Sequence, residues 1–239
     1  MKKINWKQII KIFAFILTTT LLIASYTTSV VYKEWVPASS QQPFLYGDFT
    51  LQYLSFFTTQ SNIIVALWFL VAIIKDKKEE ENLFTAQLGK IFVTSYITIT
   101  MLVWAGILLP AAIKDMSVTG WIFGLGLHIV VPILMISYAI WTLGLRTISF
   151  AKYFKKAFWV YLSYPLLYLF YVSIRGVMRW NDNKQELSFP YPFLNFYTTY
   201  LGMNGVIAFF LFIGIILVLF VLLNLLYILI SNALAKRKS

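Results

Sequence analysis

The chain contains no cysteine. Disulfides, thiolate nucleophiles, zinc–cysteine centres and iron–sulfur clusters are therefore excluded together. Histidine occurs once, at position 128, which rules out a two-histidine haem site. Charge is also scarce. Charged residues make up 12% of the chain, against about a quarter in soluble domains. Aspartate and glutamate are missing from every long apolar run, the nearest being Asp48 at the mouth of the second. That argues against proton-coupled transport, which favours buried acids. No run carries the regular arginine ladder of a voltage sensor.

What is present is apolar. Hydrophobic residues are 60% of the 239, and the mean hydropathy is +0.76. A soluble fold cannot hide that much apolar surface, but a bilayer can. A span needs about 20 residues, and the chain divides into six such runs. The expected fold class is an all-α membrane protein, one domain over 1–239 with six transmembrane helices. The spans are placed at 9–32, 49–74, 84–109, 118–143, 157–178 and 197–231. The third is expected to stop near Pro110. The first run, Ile9 to Val31, is too long for a signal-peptide core and no small-x-small cleavage site follows, so it reads as a retained span. No lipidation motif is evident, nor is any internal repeat.

Net charge is +11, but the basic residues lie at the ends of apolar runs. There they read as topology signals and anionic-lipid contacts, not as a nucleic-acid surface. Sorted by alternating side, fifteen of the twenty Lys and Arg fall on the side of the two termini, with the 75–90 and 146–156 regions. The other side holds Lys33, Lys114, Arg175, Arg179 and Lys184. The positive-inside rule then expects both termini in the cytoplasm. Trp6, Trp35, Trp121, Trp141, Trp159 and Trp180 sit near span ends, as interfacial anchors do.

Span two is unusual. Thr50, Gln52, Ser55, Thr58, Thr59, Gln60, Ser61 and Asn62 crowd its first half, while Ile63 to Ile74 contains no polar residue. Thr58, Ser61 and Asn62 share one helical face at i, i+3 and i+4. Such a face is either polar glue between helices or an active site. Span four carries His128 between Gly124, Gly126 and Pro132. The glycines admit a close neighbour, and Pro132 frees the carbonyl of residue 128 and predicts a kink. Arg175, after Tyr161, Tyr164, Tyr168 and Tyr171, either snorkels or binds an anionic group. Span six opens with Gly202 and Asn204 and is then almost wholly apolar. Spans two and four run in the same direction. Thr58 and His128 each lie about nine or ten residues in, roughly 13–15 Å deep. Packed side by side, these helices bring a hydroxyl to an imidazole, the basic arrangement for acyl transfer. With no carboxylate available, Asn62, a tyrosine or a backbone carbonyl is left to hold the second ring nitrogen.

Four motifs in order resemble one family. They are Phe57-Thr58-Thr59-Gln60-Ser61-Asn62, Leu127-His128-x-x-Val131-Pro132, Tyr164-Pro165-Leu-Leu-Tyr168 with Ile174-Arg175-Gly176, and Tyr191-Pro192-Phe193-Leu194. Their order and spacing over about residues 45–210 resemble the androgen-induced, or androgen-dependent TFPI-regulating, group of six-span proteins and its bacterial relatives. The resemblance implies a membrane threonine hydrolase that cleaves fatty acid esters of hydroxy fatty acids. It implies Thr58 as nucleophile, with Thr59 as a neighbouring competitor, and His128 as base. Ser61 and Asn62 follow the bacterial pattern.

The resulting expectation is a lipid-ester hydrolase with a Thr58–His128 dyad. Asn62, Ser61, Arg175, Asn204 and Tyr164 are candidates for oxyanion or substrate contacts. No cofactor or metal is expected. The expected partner is a membrane lipid or fatty-acyl ester, not nucleic acid, and the oligomeric state is left open. Richness in Ile, Phe, Lys and Asn points to a bacterial cell membrane. The alternative is a lipid-binding or small-solute transport protein without covalent chemistry.

Overall fold

The computed structural model describes residues 5–32, 45–114 and 116–238. Lys33 and Trp35, named above, lie outside the described residues. The described chain is helical: α1 (Trp6–Val31), α2 (Tyr46–Ser55), α3 (Phe57–Ile74), α4 (Gln87–Ala112), α5 (Val118–Thr142), α6 (Phe150–Asn181) and α7 (Gly205–Lys238). All but α2 are long and apolar enough to cross a membrane.

The second expected span is not one helix. It breaks at Phe56, whose backbone is extended at φ −70° and ψ 128°. The polar cluster is thereby divided, with Thr50, Gln52 and Ser55 on α2 and the rest on α3. Side chains replace the helical hydrogen bonds lost at the break. Tyr168 Oη donates to the Ser55 carbonyl at 2.9 Å, and Gln60 Nε2 donates to the Leu54 carbonyl at 2.8 Å. Free backbone groups away from water need such partners.

Two further expectations shift. The third span runs through Pro110 to Ala112. A wide π turn over Trp104–Leu108 precedes the proline, and the same device over Gly126–Val130 precedes Pro132. The wide turn accommodates a proline that lacks the N–H an ordinary α turn would need. The sixth span begins at Gly205 rather than 197. Leu201 and Gly202 take positive φ there, and the Asn204 side chain caps the helix by accepting from Val206 N–H at 2.9 Å.

Helix α4 is central, packing against α3, α5 and α7, while α1 packs along α3. Rings attach α6: Tyr161 stacks on Tyr96 at 5.1 Å and 4°, and Tyr161 Oη donates to the Phe220 carbonyl at 2.9 Å. Helix α7 is less apolar inside than expected. Its Asn224 is buried, donates to Ser95 Oγ at 3.2 Å and accepts from Tyr153 Oη.

At the end of the bundle near the α3–α4 connection, charges turn inward. Lys11 and Lys90 are each only 1% exposed. Lys11 Nζ contacts Asp76 at 2.6 Å and Glu79 at 3.2 Å. Lys90 Nζ contacts Glu79 at 3.1 Å and Glu80 at 3.5 Å. The acidic connection thus straps α1 to α4.

Candidate active site

The break at Phe56 puts Thr58 in the first turn of α3, buried inside the bundle. Opposite it, the wide turn of α5 presents His128. Thr58 Oγ1 lies 3.0 Å from His128 Nε2. His128 Nδ1 lies 3.0 Å from the Gly124 carbonyl. A carbonyl only accepts, so the proton is assigned to Nδ1 and the lone pair to Nε2. That tautomer accepts the threonine proton. Of the three holders considered for the second nitrogen, the backbone carbonyl fills the role.

The glycines around the histidine have distinct uses. A Cβ on Gly124 would lie 2.9 Å from Trp104 Cζ2, and one on Gly126 would lie 2.9 Å from Leu21 Cδ2 of α1. The missing Cβ at Gly124 lets Trp104 stack on the imidazole, with centroids 4.9 Å apart and planes 18° apart, and the missing Cβ at Gly126 lets Leu21 approach α5.

The other expected residues are placed as follows. Asn62 Nδ2 donates to the Thr58 carbonyl at 2.8 Å and to the Leu127 carbonyl at 3.1 Å. It therefore ties α3 to α5 beside the dyad, and its amide hydrogens are engaged. Ser61 Oγ donates to the Thr58 carbonyl and meets Thr100 Oγ1 at 2.7 Å. Thr59 turns toward the Tyr53 phenol, so Thr58 is the threonine facing the imidazole. Tyr164 Oη donates to Gln60 Oε1 at 3.1 Å. Arg175 is committed to the loop before α7, donating to the Ser188 and Leu187 carbonyls at 2.7 and 3.0 Å. Asn204 is a helix cap. Neither Arg175 nor Asn204 lines the cavities at the dyad.

Two residues at the centre were not singled out for a role from sequence. One is Trp104. The other is Tyr191, whose hydroxyl accepts from Thr58 N–H at 3.3 Å and lies 3.4 Å from Thr58 Oγ1. A tyrosine between Pro190 and Pro192 in a span connection is the sequence signal that marks it.

Two cavities meet at the dyad. A cleft of about 460 Å³, partly open to the surroundings, runs between α1, α2, α3, α4, α5 and the 190–192 segment, with Ser25, Ser29, Thr58, Thr59 and His128 in its wall. Behind it lies a narrow slot of about 50 Å³ between α3, α4, α6 and α7, lined by Ile99, Val103, Leu169, Ile213 and Phe220 among others. Thr58, Trp104, Leu108 and Tyr191 form the wall common to both.

The chain matches no family model, no curated protein and no solved structure.

Proposed function

We propose that the protein is an intramembrane hydrolase of long-chain lipid esters, with Thr58 as nucleophile and His128 as general base and acid. The observation that carries this reading is the 3.0 Å contact between Thr58 Oγ1 and the proton-free His128 Nε2. Thr58 Oγ1 attacks the ester carbonyl carbon as its proton passes to Nε2, and the carbonyl π pair moves onto oxygen. Collapse of that oxyanion expels the alkoxide, which takes the proton from Nε2 and leaves as the alcohol. The acyl group remains on Thr58. Water then attacks the acyl-threonine, giving its proton to His128. Thr58 Oγ1 takes that proton back as the acid departs. No carboxylate is needed to hold the imidazolium. The Gly124 carbonyl accepts from Nδ1–H throughout, and the face of Trp104 favours a cation beside it. The apolar lining of the slot suits the acyl carbons next to the ester, and the wider cleft, with Ser25, Ser29 and Thr59 in its wall, suits the leaving alcohol and incoming water. Esters of hydroxy fatty acids, which the motif resemblance implies, have that two-armed form.

Turnover of a long-chain ester by purified protein is the test. Thr58→Ala and His128→Ala are each expected to lower kcat by about 1000-fold or more. Equal rates in all three proteins would overturn the reading. The rival, a lipid-binding or solute-transport protein using the same cleft, predicts no labelling of Thr58 by a fluorophosphonate and lipid that co-purifies. We also place the protein in a bacterial cell membrane with both termini cytoplasmic, on the composition and the basic-residue bias. Reporter fusions to the C-terminus and to the α4–α5 turn test that orientation.

A further inference from the structure

An ester hydrolase needs a donor for the oxygen that becomes negative when Thr58 attacks. The residues that composition and motif offered for this are engaged elsewhere. Both Asn62 amide contacts go to backbone carbonyls, Arg175 holds the 187–188 backbone, and Asn204 caps α7. Thr58's own N–H, which a helix N-terminus would aim at an anion, points at the Tyr191 phenol oxygen instead.

We infer that Tyr191 is the oxyanion donor of this site, a catalytic residue whose hydroxyl hydrogen bonds the developing negative oxygen of the ester. This rests on the ester-hydrolase reading above. Tyr191 Oη lies 3.4 Å from Thr58 Oγ1. That is long for a hydrogen bond to the nucleophile itself, yet within reach of the second oxygen on the same tetrahedral carbon. Accepting from the Thr58 amide polarises the phenol and strengthens it as a donor. The positive end of α3 is thus relayed through one hydroxyl to the substrate.

The ring is held for this task. It stacks on Phe193 at 5.2 Å and 4°, meets Phe56 edge-on at 5.5 Å, and stands in the wall shared by both cavities. Burial also raises the phenol above its ordinary pKa, so it keeps the hydrogen it must donate. No atom is transferred to or from Tyr191 during the cycle.

Tyr191→Phe keeps the ring contacts and deletes only the donor. In purified protein it is expected to lower kcat about 100-fold while KM changes by no more than about twofold. A trifluoromethyl ketone analogue of the substrate, which forms a tetrahedral adduct with the nucleophile, should bind about 100-fold more weakly to the variant. The corresponding ether, which has no carbonyl, should bind both proteins alike. The ratio of ketone to ether affinity is read within each preparation, so partial loss of folded protein does not distort it. A ratio unchanged by the substitution would overturn the assignment, as would a kcat within about threefold of the parent. If the parent protein neither cleaves the ester nor prefers ketone to ether, the hydrolase reading itself fails, and the role of Tyr191 falls with it.

Discussion

Asp48 stands at the mouth of the second hydrophobic run, nearly sealed from solvent, and meets two cations. Arg179 Nη1 lies 2.8 Å from one carboxylate oxygen and Lys184 Nζ 2.8 Å from the other, and the Leu45 amide donates to it at 3.0 Å. Burial raises its pKa, but the Lys184 hydrogen bond, the Leu45 amide and the Arg179 charge outweigh that and hold it below the ordinary carboxylate range. The unfolded chain therefore takes up the proton at higher pH than the folded one. The stability from Asp48 is complete above the ordinary carboxylate pKa and is lost as pH falls through the lower folded value. Melting temperature should fall below about pH 4 in the parent protein, and Asp48→Asn should remove that part of the fall. At this same scale the dyad was legible in sequence and its surroundings were not. Thr58 and His128 follow from helical rise and a shared direction. The engagement of Asn62 and Arg175 depends on which backbone carbonyls face them, and residue spacing carries no such information. Tyr191 meets Thr58 across 133 positions of chain, and only the folded connection sets that distance.

Among the elements, the two wide turns matter most. Each precedes a proline, and together they bring Trp104 against His128. Pro132 was readable as a disturbance of α5, but whether the helix bends or widens depends on its neighbours. The break at Phe56 was not readable at all. Nothing in Ser55-Phe56-Phe57 forbids a helix, and the extended residue persists because side chains of α3 and α6 take over its lost bonds. One glycine of α5 and one of α4 give a direct test. Gly124→Ala drives a Cβ into Trp104 and is expected to destabilise by about 1–3 kcal/mol, with loss of ester turnover as the ring leaves the imidazole. Gly106→Ala meets nothing within 4 Å and should leave both unchanged. Melting curves in detergent, paired with rates, decide between these outcomes.

For the whole molecule, six crossings were plain from hydrophobicity, because long apolar runs have few other solutions. The strap formed by Lys11, Glu79 and Lys90 was not, since a run such as Asp76 to Glu81 ordinarily reads as solvated. Glu79→Gln leaves two buried lysines short of a partner and should cost about 3 kcal/mol. Lys78→Ala, which removes an exposed pair with Glu81, should change little. Thermal unfolding in one detergent compares the two. The meeting of two cavities at Thr58 has a further consequence. An acyl chain lodged in the slot would stay behind when the alcohol product departs through the cleft. Water would then compete for the acyl-threonine with any small alcohol entering by the same mouth. Adding methanol should divert product from free acid to methyl ester in proportion to its concentration, while total consumption of the starting ester holds steady if deacylation is not rate-limiting.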